Sequence, residues 1–185
     1  MKPIYPQLIK IPQMKKIAVV IGHDKTSPGA YSLHLRNSEY IYNSEVATYL
    51  ARIADVYKRP IGGGYKTQMI NLANEINKKD YDLVLELHFN SFNKIVNGCE
   101  AVIFKGNKIT NKIGEKYCDL ISKTYHTKSR GVKEISQQND RGYWFLALIK
   151  ADAMILEPFF GDNEESLKFC NPGKYAEIII KTICE

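Results

Sequence analysis

Two rhythms of apolar and polar positions alternate along this chain. Residues 16–21 (KIAVVI) form a short apolar run, the pattern of a strand covered on both faces. Over 38–54 the apolar residues Ile41, Val46, Ala47, Leu50 and Ile53 recur at helical spacing, with Asn37 or Ser38 placed to cap the start. Residues 55–59 predict a short strand, and 60–65, with three glycines, a loop. Residues 67–79 read as a helix, 81–90 (YDLVLELHFN) as the clearest strand, and Cys99–Phe104 (CEAVIF) as another. Ile113, Tyr117, Leu120 and Ile121 mark a helix over 109–125. Beyond it the pattern predicts a loop over 126–141, a short helix over 143–150, a strand over 153–160 closed by Pro158, and a last helix within 163–183. Such alternation predicts one α/β domain: a mostly parallel, twisted sheet of about five or six strands with helices on both faces. Residues 1–14, with three prolines, are expected to form an N-terminal arm, leaving 15–185 as the folded domain.

Composition excludes more than it assigns. At 185 residues, 44% hydrophobic and 25% charged, the chain can bury a core without a disulfide framework. No apolar run reaches the roughly 18 residues of a membrane helix, so no stable membrane insertion is expected. The opening MKPIYPQLIKIPQMKK lacks the apolar centre and cleavage site of a secretory signal, which predicts synthesis in the cytoplasm. Four scattered cysteines (Cys99, Cys118, Cys170, Cys184) without a CxxC pair read as free thiols packed as small hydrophobes. Net charge is +6, of which residues 1–60 supply +5 from nine basic and four acidic groups. That balance suits an acidic polymer or an anionic envelope. With no Lys/Arg block and no aromatic RNA-binding signature, nucleic acid is not an expected partner. A monomer is expected.

The chemistry collects at predicted strand ends. His23 follows the first strand, His88 stands near the end of the 81–90 strand, and Glu157 near the end of the last. In open α/β sheets catalytic groups gather outside the carboxyl ends of strands, so the three can converge. Along 81–90, Tyr81, Leu83, Leu85, Leu87 and Phe89 form one apolar face opposite Asp82, Val84, Glu86, His88 and Asn90, and the last three, polar on a covered face, need partners. Glu39 shares the stripe of Asn43, Ala47 and Leu50, which faces the sheet; Glu45 falls off that stripe. Two histidines and one carboxylate form a catalytic zinc shell with a position left for water. His23, Glu39 and His88 are then the ligands and Glu157 the acid/base. Spacings of 16 and 49 residues match no short metal motif.

The same residues resemble a family. GHDKTSPGA (22–30), EYIYNSEVATYLA (39–51), DVYKRP (55–60), ANEIN (73–77), ELHFNS (86–91), GCEAVIF (98–104) and ILEPFFGDNEES (155–166) are similar, in order, to segments of zinc-dependent N-acetylmuramoyl-L-alanine amidases of bacterial autolysins and phage endolysins. The resemblance implies Zn²⁺ on His23, Glu39 and His88, a catalytic Glu157, and cleavage between N-acetylmuramic acid and L-alanine in peptidoglycan. A phage or prophage endolysin acting on the cell wall after release is the expected role. Asp24-Lys25 replaces two of the family's glycines, Ser27 stands where Asp is common, and Glu86 where many members have Ser. Glu86 reads as an orienting group for a ligand or as a competing base. Asn90 shares its face, Arg141 is a candidate contact for peptide carboxylates, and Asn163 either holds the loop after Glu157 or caps a helix. His34 and His126 read as surface residues, and Gly62-Gly63-Gly64 as a cleft-edge loop rather than a phosphate loop. The alternatives are a zinc amidohydrolase on another peptide or amino sugar, and a non-catalytic peptidoglycan-binding module.

Overall fold

In the computed structural model, which describes residues 16–184, the first apolar run becomes β1 (Ile17–Ile21), buried along its whole length. A small hairpin of β2 (Tyr31–Ser32) and β3 (Asn37–Ser38) leads into α1 (Glu39–Leu50). Ser38 is the cap, its side chain accepting from Ile41 N. β4 (Asp55–Lys58), α2 (Tyr65–Ile76), β5 (Leu83–Leu87), β6 (Cys99–Phe104) and α3 (Lys108–Tyr125) follow. β7 (Ser129–Ile135), α4 (Tyr143–Leu148), β8 (Asp152–Glu157), a 3₁₀ turn (Glu164–Phe169) and α5 (Pro172–Cys184) complete the chain.

The six-stranded sheet has the order β4-β1-β5-β8-β6-β7 and is parallel except where β6 meets β8. Alternation along β1 sorts the core into two layers. Ile17, Val19 and Ile21 pack with Leu83, Leu85 and Leu87 under α1, α3 and α5. Ala18 and Val20 pack with Val84 and Ile155 under α2 and α4. The sheet is therefore covered on both faces, as the unbroken apolar runs require.

Four readings need correction. The strand predicted over 81–90 is only Leu83–Leu87, so Tyr81 leaves the face of Leu83 and joins the opposite layer. The segment predicted as a loop over 126–141 contains β7, an edge strand too polar (SRGVKEI) to announce itself by buried positions. The final helix is split, because Pro172 starts α5 afresh with Asn171 Oδ1 accepting from Lys174 N at 3.0 Å. Cys99 and Cys118 are buried thiols, but Cys170 and Cys184 are exposed. The arm expected over 1–14 lies outside the described residues. Among these, no helix is long and apolar enough to cross a membrane.

Candidate metal centre

Strand register builds the site. Ile21 pairs with Lys58 and with Leu87, and Leu87 with Leu156. The next residues along, Arg59, Gly22, His88 and Glu157, therefore stand side by side across the carboxyl edge. Gly22 N donates to Leu87 O at 2.9 Å and His88 N to Leu156 O at 3.0 Å, so the ladder continues past the strand ends. Antiparallel β6 places Glu100 opposite Glu157.

Above this row sits Glu39, the first residue of α1, buried at 3% exposure. Its Oε1 accepts from Phe89 N at 3.1 Å and lies 2.7 Å from His88 Nδ1. Its Oε2 accepts from Ala30 N at 3.1 Å and lies 3.2 Å from His23 Nε2. One donor atom from each of His23, Glu39 and His88 falls within 4.8 Å of the others. His23 adopts a left-handed φ of 66°, a conformation costly for a residue with a Cβ and one that collects at functional sites. The loop behind it is closed by Asp24, whose Oδ1 accepts from Thr26 N at 2.8 Å and Ser27 N at 3.0 Å. Asp24 thus shapes this turn with a side chain where the family resemblance expects glycine.

Two imidazoles and a carboxylate, converging on a glycine-lined cradle, fit Zn²⁺. A Cβ on Gly29, which has φ +76°, would lie 2.5 Å from Glu39 Oε2 and 2.6 Å from the His23 ring. Gly29→Ala is expected to lower zinc affinity about 10-fold or more, the scale of a disturbed outer contact. Competition with a chromophoric chelator reads this directly; unchanged affinity would show that the loop absorbs the methyl group.

Charges around the donors are unevenly balanced. Burial opposes ionisation of Glu39, but hydrogen bonds and charge from His23 and His88 hold it well below the ordinary carboxylate range. Burial would likewise raise Glu86, yet His88 and Arg59 bring it down to about 2. Burial alone would lower His88, but Glu86 and Glu39 raise it to about 10 in the metal-free protein. Glu157 goes the other way: burial pushes it up to about 8, against His88 and with help from Glu39, Glu100 and Glu86. Its Oε2 is buried and has no hydrogen-bond partner.

Of the residues picked from sequence, His23, Glu39 and His88 come together, and Glu157 shares their edge. Glu86 is fully buried with its Oε2 3.4 Å from His88 Nε2, on the ring edge away from Glu39. Asn90 donates to Glu100 Oε1 at 2.9 Å. Asn163 caps the 3₁₀ turn rather than the last helix, its Oδ1 accepting from Glu165 N at 3.0 Å, while its Nδ2 donates to Lys94 O at 2.9 Å in the loop after β5. Arg141 is exposed and makes no ion pair among the described residues, so the site gains nothing visible from it. Glu45, His34 and His126 are exposed as expected. Arg59 was missed: it pairs with Glu86 at 2.9 Å, almost buried. A fully buried Glu86 requires such a cation, and the one arginine in the register row supplies it.

An α/β sheet that carries a His₂–carboxylate donor set and, at its carboxyl edge, a half-buried glutamate with one buried, unpartnered oxygen has the make-up of a metal-dependent hydrolase. No curated protein sequence matches the chain significantly. The chain belongs to the N-acetylmuramoyl-L-alanine amidase family of peptidoglycan hydrolases, whose profile matches residues 17–185. Among solved structures, the catalytic domain of the CD27L endolysin targeting Clostridia difficile is 25% identical, covering 92% of this chain and 96% of that one with a TM-score of 0.75. An N-acetylmuramoyl-L-alanine amidase from Clostridium difficile 630 shares the fold at 20% identity, with 92% and 94% covered and a TM-score of 0.68. So does the CwlD amidase from Clostridioides difficile in complex with the GerS lipoprotein, at 17% identity, 91% and 94% covered, and a TM-score of 0.71.

Proposed function

We propose that this chain cleaves the amide between N-acetylmuramic acid and L-alanine, with zinc held by His23, Glu39 and His88 and with Glu157 as acid/base. The observation that carries this reading is the donor set, closed to within 4.8 Å, on the same edge as a buried carboxyl oxygen that has no partner. Zinc in such a shell supplies an acidified water and a polarised carbonyl. The residues around it do the rest. Glu39 lies against both imidazoles and takes two backbone N–H groups, so the donors are oriented before anything binds. Glu86, fixed by Arg59, sets its carboxylate charge 3.4 Å from the far nitrogen of His88, which favours a protonated Nε2 there and leaves Nδ1 to the donor set. Glu157, kept near neutral titration by burial, takes a proton from the attacking water and returns it to the departing L-alanine nitrogen. The likeness to an endolysin catalytic domain, at 25% identity over 96% of that domain, supports an endolysin-type lytic role on the cell wall.

Purified peptidoglycan, incubated with the protein and read by mass spectrometry, tests this. New L-alanine amino termini are expected, lost on chelation and restored by zinc. Cleavage at another bond would overturn the substrate assignment, and chelator-resistant cleavage would overturn the metal.

A further inference from the structure

Next to Glu157 lies a second charged cluster with no role in the chemistry above. Because β6 is antiparallel to β8, and β7 parallel to β6, the starts of β6 and β7 lie on the edge where β8 ends. Glu100 stands opposite Glu157 there, and Arg130 Nε donates to Glu100 Oε2 at 2.7 Å. The placement of Arg130 is built rather than incidental. Cys99 pairs with Ser129 but Glu100 with Gly131, so Arg130 is the extra residue of a β-bulge, and Gly131 takes the φ of +71° that the bulge demands. Bulges of this kind re-aim one side chain beside a site. The Arg130 stem runs over Gly98, where a Cβ would come within 3.1 Å of its Cγ, and the guanidinium lies 5.2 Å from the centre of the Phe160 ring.

Held in this way, Arg130 remains 29% exposed, and neither terminal Nη group makes a hydrogen bond among the described residues. A fixed guanidinium with two outward donors matches a carboxylate bidentately, whereas neutral sugar oxygens gain less from it. From Glu157 the group is one to two strand spacings away, roughly 5–10 Å. An extended peptide spans that distance in about two or three residues.

Resting on the amidase reading, we propose that Arg130 is a specificity residue that binds a free carboxylate of the peptide stem, at the second residue from the scissile amide. Glu100, with Asn90 on its other oxygen, is the positioning residue that holds it.

Muropeptides whose second stem residue carries its α-carboxylate free or amidated test this with the wild type, Arg130→Gln and Arg130→Lys. The wild type is expected to show a KM about tenfold lower on the free form, the scale of one charge-assisted hydrogen-bond pair. Arg130→Gln is expected to raise that KM about tenfold and erase the preference, with kcat changed by no more than about twofold, and Arg130→Lys to restore part of it. A wild type without preference overturns the proposal. So does an equal loss on both substrates, or a fall in kcat alone, since Arg130 would then only balance Glu100. Failure of the wild type on both materials would instead defeat the amidase reading, and this assignment with it.

Discussion

Glu157→Gln is expected to lower kcat about 10³-fold while zinc affinity stays within experimental error, because a positioned acid/base contributes roughly 10²–10⁴ and the change is isosteric. Glu157 lies outside the trio of converging donors, so the metal site has no reason to loosen. Stability moves in the opposite direction to activity. The carboxyl of Glu157 is raised from the ordinary value to about 8 by burial, with Glu39, Glu100 and Glu86 adding repulsion. A raised acid is fully compatible with folding below its unfolded value near 4.5; its penalty grows as pH rises from there to about 8 and is level above. The metal-free variant is therefore expected to melt higher than the metal-free wild type above about pH 4.5, with a gap that widens up to about pH 8 and then stays level. Parallel melts from pH 4 to 9 and single-turnover assays measure both halves. A kcat within about tenfold of wild type would move the acid/base role away from Glu157.

Much of the site was legible in the sequence because periodicity and chain direction constrain it strongly. A strand buried on both faces cannot end in histidine without a reason, and Glu39 on the stripe of Asn43, Ala47 and Leu50 had to point inward; all three of those residues are buried. The parallel β1, β5 and β8 then bring their carboxyl ends to one edge, as their alternation with helices predicts. What escaped is what periodicity does not encode. β7 is an exposed edge strand whose alternation is hidden by charged side chains, so its bulge and Arg130 were invisible. The antiparallel β6 also reverses the rule: Glu100, which faces Glu157, comes near its start, where a search of carboxyl ends does not look. Arg59 was missed for a different reason. That Glu86 needs a partner is plain from its face of the strand, but the identity of the partner depends on the neighbour order β4-β1-β5, which no local pattern contains.

That ion pair carries the largest expected effect on stability. Arg59 and Glu86 lie 2.9 Å apart with side chains 8% and 0% exposed, and Arg59 Nε is itself buried without a partner. Glu86→Ala leaves the guanidinium buried and uncompensated, which is expected to cost about 3–5 kcal/mol in urea unfolding of the metal-free protein. The double variant Glu86→Leu with Arg59→Met removes both charges and is expected to recover most of that loss, since an apolar pair of similar volume needs no desolvation. Zinc affinity should separate from stability. His88 Nε2 loses its 3.4 Å carboxylate neighbour in both variants, so both are expected to bind zinc about 10–100-fold more weakly, even where the fold is restored. The pH profile supplies a further check. Glu86 is depressed to about 2, so its contribution is present above its unfolded value near 4.5 and fades as pH falls towards 2. His88 is raised to about 10, so its contribution is complete below 6.5 and fades as pH climbs through 10. Metal-free wild type should therefore be most stable between about pH 4.5 and 6.5, and the double variant should lose the Glu86 share of that fall on both the acid and the alkaline side. A double variant that keeps full zinc affinity would show that Glu39 alone orients His88, and would reduce Arg59 and Glu86 to a structural pair.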